Sequence, residues 1–271
     1  MKILNITQEA STFFPYYHAS PRTDAWGNQG VMKHDLPVFE VKVDFLPKYL
    51  EALVLTSDLQ GVIPDDQGET LLGMVLPEFL AAFLQTDLGL NPQKTGVILP
   101  GDFYATLQSR GGLDDVRPVW RAFRQHFQWV CGVGGNHDDF GQNLDALQQF
   151  RREEGIFYLE NEEVELSGLS IGGISGVAGS NGKHLRVPEP DMAAMLKKRL
   201  DRRPDLMVMH QNPFHASTPH KGGQFVTDAL SRAPGQLLVC GHAIWDEPLI
   251  ELPNEAQVLN TGERVFVMTA I

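Results

Sequence analysis

Cys131-Gly132-Val133-Gly134-Gly135-Asn136-His137-Asp138-Asp139-Phe140-Gly141 is the stretch on which the reading of this chain turns. An apolar run (Phe127, Trp129, Val130, Val133) stops at two glycines, and four polar side chains, Asn136 to Asp139, follow at once. Glycine permits positive φ and close backbone approach, so Gly134-Gly135 can turn the chain sharply at a strand's end. Such a turn holds Asn136 and His137 in a crevice and not in the core. Asparagine offers a carbonyl ligand, and histidine offers a metal ligand or a general acid near neutral pH. Taken alone the stretch also fits a plain polar turn after a strand; the rest of the chain decides.

Working outward, the same pattern recurs. Leu53-Val54-Leu55-Thr56-Ser57 ends at Asp58, and Gly96-Val97-Ile98-Leu99 leads into Gly101-Asp102. Leu206–Met209 ends at His210, and Leu237–Cys240 ends at Gly241-His242. After each of the first three runs, helical spacing of apolar residues predicts a helix: Glu69–Gln85, Val116–His126 and Leu144–Glu154. Alternation of short, continuously apolar strands with helices points to a parallel sheet covered on both faces. Glu163–Ile174 reads as a hairpin, Gly176–Gly182 as a glycine-rich loop and Asp191–Arg202 as a helix. Three strand-like pieces follow at Leu249–Leu252, Gln257–Leu259 and Val265–Met268, so a second sheet packed on the first is expected. Before residue 52, Val38–Phe45 alternates as a half-buried strand does, whereas Phe13–Asn28 is rich in aromatics and turn formers.

Composition bounds the function. The chain has 271 residues, enough for one large domain or two small ones. A formal net charge of −12 argues against broad nucleic-acid or anionic-membrane binding, though not against a small phosphorylated substrate at a metal. Cys131 and Cys240 both fall in or beside apolar runs, so no disulfide framework is expected and a reducing cytoplasm is the expected setting. The first residues show no signal-peptide pattern, and Leu71–Leu84, the most apolar helical window, is too short to span a bilayer. Oligomeric state is not legible.

Five apolar runs thus end in a possible ligand: Asp58, Asp102, Asn136, His210 and His242. In open α/β folds ligands bind outside the carboxyl ends of the strands. Mixed carboxylate, amide and imidazole donors suit Mn, Fe or Zn better than Ca. The ordered blocks Asp58-Leu59-Gln60, Gly101-Asp102, Gly135-Asn136-His137-Asp138, His210 and Gly241-His242-Ala243-Ile244 resemble the calcineurin-like metallophosphoesterase superfamily. The resemblance covers roughly residues 52–271 as one domain, with 1–51 as an N-terminal extension packed on it or adding a strand. It implies a four-layer αββα sandwich of two mixed β-sheets flanked by helices, and a metal-dependent phosphomonoesterase or phosphodiesterase. It further implies one metal on Asp102, Asn136, His210 and His242, firmly held, and a second, possible site on Asp58, Gln60 and Asp102. That second site is weakened because Gln60 and Ile244 stand where the family has imidazoles. By the same resemblance His137 protonates the leaving group and Asp138 orients it. The alternative is a non-catalytic relative that binds a metal, a ligand or a protein partner, or a metal that is structural.

The remaining histidines, His18, His34, His126, His184, His215 and His220, read as surface or packing residues, with His184, His215 and His220 able to border the pocket. Arg22, Lys183, Arg186 and Lys221 are candidate phosphate contacts by charge alone.

Overall fold

The structure, a computed structural model, describes residues 1–23, 29–66, 68–109, 111–141, 143–215 and 222–271; the side chains of 21–23, 29 and 65 also lie outside the described residues. The five apolar runs are strands, each buried along its whole length: Ala52–Thr56, Thr95–Leu99, Trp129–Gly132, Leu206–Met209 and Leu237–Cys240. Two-residue periodicity explains why no position is polar to solvent. Ala52 and Val54 enter one apolar cluster and Leu53 and Leu55 another, and likewise Val97 and Leu99 face away from Ile98. In the second sheet Leu206, Val208, Leu237 and Val239 share the cluster of Leu53 and Leu55, while Met207, Met209, Leu238 and Cys240 enter a third. Both faces of each strand are covered, so each strand reads as a continuous apolar run.

The larger sheet runs in the order Ile156–Tyr158, Trp129–Gly132, Thr95–Leu99, Ala52–Thr56, Val265–Ala270, Gln29–Val43, Thr12–Thr23, Val62–Asp65, Gly68–Leu71, with Ile3–Ile6 also on Gln29–Val43. Its first four strands are parallel. The smaller sheet is ordered Asn161–Leu166, Leu169–Ile174, Leu206–Met209, Leu237–Cys240, Gln257–Asn260, Leu249–Glu251, again with four parallel neighbours. The architecture is mixed α/β. Val119, Trp120 and Phe123 of the Arg117–His126 helix lie in the same cluster as Ala52 and Val97. Met192 and Leu196 of Glu189–Leu200, and Val226 and Leu230 of Gln224–Leu230, lie in the cluster with Met207 and Met209. Among the described residues no helix is long and apolar enough to cross a membrane.

Several boundaries differ from the sequence reading. The first helix is Leu72–Thr86, because Gly68–Leu71 pairs as a hairpin with Val62–Asp65 and turns at Gly68, φ 139°. The third stops at Phe150 and gives way to a turn ending at Gly155. The fourth begins at Glu189, with Pro190 in its first turn where no N–H is needed. The largest difference lies in residues 12–43. The aromatic, proline-containing segment is mostly a strand, Thr12–Thr23, paired antiparallel with a fifteen-residue strand, Gln29–Val43. Pro15 is tolerated because the outer side of that strand carries a single bridge, Tyr17 to Val62, among the described residues. Residues 1–51 therefore supply three strands, and Val265–Ala270 lies between one of them and Ala52–Thr56.

Candidate metal centre

Each expected ligand stands just past the carboxyl end of a parallel strand. Asp58 follows Ala52–Thr56, Asp102 follows Thr95–Leu99, Asn136 follows Trp129–Gly132, His210 follows Leu206–Met209 and His242 follows Leu237–Cys240. Three of them take left-handed backbone: Asp58 at φ 55°, Asp102 at 62° and His242 at 69°. Such residues cost roughly 1–3 kcal/mol each and persist where their surroundings fix them. Here the Asp58 N–H donates to Gly101 O at 2.9 Å, the Asp102 N–H to Asp138 Oδ2 at 2.7 Å, and the His242 N–H to both Asp58 oxygens at 3.2 Å. The glycine before Asn136 serves close approach and not a left-handed turn: a Cβ on Gly135 would stand 2.0 Å from Asp102 Oδ1.

Asp102, His210 and His242 offer ligand atoms all within 4.8 Å of one another, a cluster that could hold a metal ion. Asp102 and His210 are buried, and His242 sits at the solvent side. His210 Nδ1–H donates to the Pro100 carbonyl at 2.7 Å, so the neutral ring turns its Nε2 lone pair toward Asp102 Oδ2, 3.1 Å away. That contact is not aligned as a hydrogen bond: His210 Nε2 is buried without a partner, and so is Asn136 Oδ1. Asn136 lies between Gly135, which abuts Asp102, and His137, whose N–H donates to Asp102 Oδ1 at 3.0 Å. With the His210 ring neutral, its Nε2 is a buried acceptor 3.1 Å from the Asp102 carboxylate, as a metal ligand is, and with His242 these residues could hold a metal ion.

The other expected residues are placed differently. Asp58 is buried, its Oδ2 accepting from Ser57 Oγ at 2.7 Å as well as from the His242 N–H. It is not in the three-residue cluster. Gln60 turns its amide nitrogen to Asp102 Oδ2 at 3.4 Å, offering a donor on the side where the resemblance implied a carbonyl ligand. Ile244 is half-buried and belongs to none of the three apolar clusters. The His137 imidazole lies beside Gln60 beneath Gly111, where an added Cβ would stand 3.2 Å from both Gln60 Nε2 and His137 Cε1. Asp138, expected to orient His137, spends its carboxylate on three main-chain N–H groups: Asp102 at 2.7 Å, Phe103 at 2.8 Å and Gly135 at 2.8 Å. It holds the Asp102 turn against the Gly135 turn. Of the candidate phosphate contacts, Arg186 is half-buried and Lys183 exposed; the Arg22 side chain, Lys221 and His220 lie outside the described residues.

Protonation reflects three acids crowded around His210. Burial pushes the Asp58 carboxyl up to about 7, with the Asp102 charge adding and His210 opposing. Burial and then Asp102 push Asp138 to about 7 as well. Burial would raise Asp102 too, but His210 and then His137 outweigh it and hold Asp102 below the ordinary range. Burial disfavours the His210 imidazolium, yet Asp102 and then Asp58 raise it to about 9. Surrounding protein and then the His210 charge push His242 down to about 4, with Arg186 contributing.

Comparison with known proteins places the fold. TT1561 of Thermus thermophilus superposes at a TM-score of 0.53 with 16% identity, over 79% of this chain and 89% of that one. The two share a fold. A hypothetical protein from the same organism matches at 0.45, with 14% identity over 77% of this chain and 75% of that one. The sulfate thiohydrolase SoxB of Thermus thermophilus matches at 0.43, with 12% identity over 80% of this chain and 53% of that one. The sequence matches no protein-family model and no curated protein.

Sequence reasoning missed the groups that hold the ligands in place. The Pro100 carbonyl carries no sequence signal. Ser57 was visible only as the polar end of an apolar run, and its hydroxyl also meets Thr261 Oγ1 at 2.8 Å, 204 residues away.

Proposed function

We propose that this chain is a metal-dependent phosphoesterase of the calcineurin-like metallophosphoesterase kind, acting on a small phosphorylated substrate. The carrying observation is the Asp102–His210–His242 cluster, with Asn136 Oδ1 and His210 Nε2 buried and unpartnered beside it. A four-layer αββα sandwich is the arrangement we infer, supported by three apolar clusters: helix on sheet, sheet on sheet, and sheet on helix. Two buried thiols without a disulfide are in keeping with a reducing cytoplasm.

Asp102, Asn136, His210 and His242 would hold Mn, Fe or Zn, which supplies a Lewis acid for a phosphoryl oxygen and acidifies water near neutral pH. Pro100 fixes the His210 tautomer, and Asp138 fixes the backbone from which Asp102 projects. His137 is anchored through its main chain to Asp102, and its imidazole makes no hydrogen bond among the described residues, which leaves it to give a proton to the departing ester oxygen. Asp58, Gln60 and Asp102 leave a second, oxygen-only shell that is weak for these metals.

Gln60 gives a second reading its specific support. Its amide N–H2 rests on Asp102 where a second cation would otherwise approach, as suits a protein that binds a metal or ligand without turnover.

Elemental analysis tests the assignment. About one transition metal per chain is expected, and His242→Ala should abolish it; a His242→Ala protein with full metal content refutes the site. Hydrolysis of an aryl phosphate by the metal-containing parent supports the enzyme, and none moves the conclusion to the binding protein.

A further inference from the structure

The segment 175–187 is tied both to the turn that carries Asn136 and to the turn that carries His210. The Gly134 N–H donates to Ser175 Oγ at 2.9 Å, and the Gly176 N–H donates to Gly134 O at 2.7 Å, two residues before Asn136. The Ala178 N–H donates to Gln211 Oε1 at 3.0 Å, next to His210. On the return, His184 Nε2–H donates to the Asp138 carbonyl. Val177 and Ala178 pair with Arg186 and Val187, so the backbone of Arg186 is fixed between the Asn136 turn and the His210 turn.

The Arg186 side chain lies with its stem on Gly179, where a Cβ would stand 2.7 Å from Arg186 Cδ. Among the described residues its guanidinium makes one hydrogen bond, a long one, Nη1 to Ala178 O at 3.5 Å. Arg117, Arg121, Arg151 and Arg202 each meet a carboxylate, but none among the described residues pairs with Arg186. Through Ser175, Gly176 and Ala178 its hairpin is bonded to the turns that carry Asn136 and His210. A half-buried guanidinium beside a centre that holds a cation is repelled unless an anion lies between them.

We infer that Arg186 is the contact for the substrate's anionic group and that the substrate class is a phosphomonoester. The inference rests on the metal-dependent phosphoesterase reading. A planar guanidinium takes two oxygens at once in a fork that lysine lacks. A monoester has three terminal oxygens, so two remain for the fork after one faces the metal cluster. A diester has two and leaves one.

The test uses the metal-containing protein, with Arg186→Ala, Arg186→Lys and, should Ala fail to fold, Arg186→Gln, beside the exposed control Lys198→Ala. Calorimetry of inorganic phosphate binding is read together with kcat/KM for an aryl phosphomonoester and an aryl phosphodiester, and with metal content. We expect metal content to hold, and phosphate affinity and monoester kcat/KM to fall about 10- to 100-fold on loss of these charge-assisted bonds. Lysine should recover part of the loss, and diester turnover should change by less than about threefold. Unchanged phosphate affinity in Arg186→Ala, or no phosphate binding by the parent, overturns the contact. Equal losses for both esters, or full recovery by lysine, overturn the monoester assignment. A parent that turns over neither ester while Arg186→Ala loses phosphate keeps the contact and sinks the phosphoesterase reading instead.

Discussion

Replacing Asp138 by Asn separates two roles for a residue that stands next to the proposed acid. The Asp138 carboxylate accepts three main-chain N–H groups, two on Oδ2 from Asp102 and Gly135 and one on Oδ1 from Phe103. A carboxamide can keep the two bonds on its oxygen but must turn its NH2 toward the Phe103 N–H, setting two buried donors against each other. Each stranded group costs about 1–3 kcal/mol, hence about 2–6 kcal/mol together. Relief of a buried charge offsets part of this, leaving an expected loss of about 1–4 kcal/mol. The assay is urea unfolding at pH 8, above the value of about 7 to which burial pushes this carboxyl, so that the parent accepts all three bonds as a carboxylate. Metal content should fall with stability, because Asp138 holds the N–H of Asp102 in its left-handed conformation. An Asp138→Asn protein within about 0.5 kcal/mol of the parent, with full metal and a selective loss on esters with basic leaving groups, refutes this and restores Asp138 as the orienter of His137.

Three further outcomes follow from the same geometry. His137→Ala removes the imidazole but keeps the N–H that binds Asp102, so metal content should hold; hydrolysis of esters with poor leaving groups should slow on the order of 10²–10⁴-fold, and activated esters far less. Equal slowing of both would exclude His137 as the acid. Gln60→His with Ile244→His should raise metal toward two per chain, since it replaces an amide donor on Asp102 with imidazoles and Ile244 is only half-buried; a folded double variant that still binds one metal contradicts it. In metal-free protein Asp58 sits at about 7 against an ordinary 3.8, so the folded chain holds this proton more tightly. Its contribution is present below pH 3.8 and is lost as pH rises through 7, so the parent should lose stability relative to Asp58→Asn between these values. A parent that gains stability relative to Asp58→Asn as pH rises over that window reverses the assigned sign.

Much of the fold was legible because its strands declare themselves locally. A strand covered on both faces must be apolar at every position, and five such runs gave way to a polar residue just past the strand's carboxyl end. Positions of Asp58, Asp102, Asn136, His210 and His242 at one edge followed from that. The antiparallel pairing of Thr12–Thr23 with Gln29–Val43 was not legible, since aromatic and proline-containing sequence suits an edge strand and a turn equally well. Nor was the short Gly68–Leu71 strand, which has one large apolar residue, Leu71, directly before the helix.

Sequence by itself determined the order of the ligands, their residue types and the likeness of their spacing to a two-metal site, because each lies within a few residues of its own strand. Tertiary structure alone decided which of their atoms are free. Asp58 is occupied by Ser57 and by the N–H of His242, Asp138 by three N–H groups around Asp102, and Gln60 by Asp102 itself. His210 owes its tautomer to the Pro100 carbonyl 110 residues away, and Arg186, held between the Asn136 and His210 turns, meets no carboxylate among the described residues. A side chain's chemistry is written in its own residue, but its unspent hydrogen bonds and charge depend on partners that meet it only when the two sheets close.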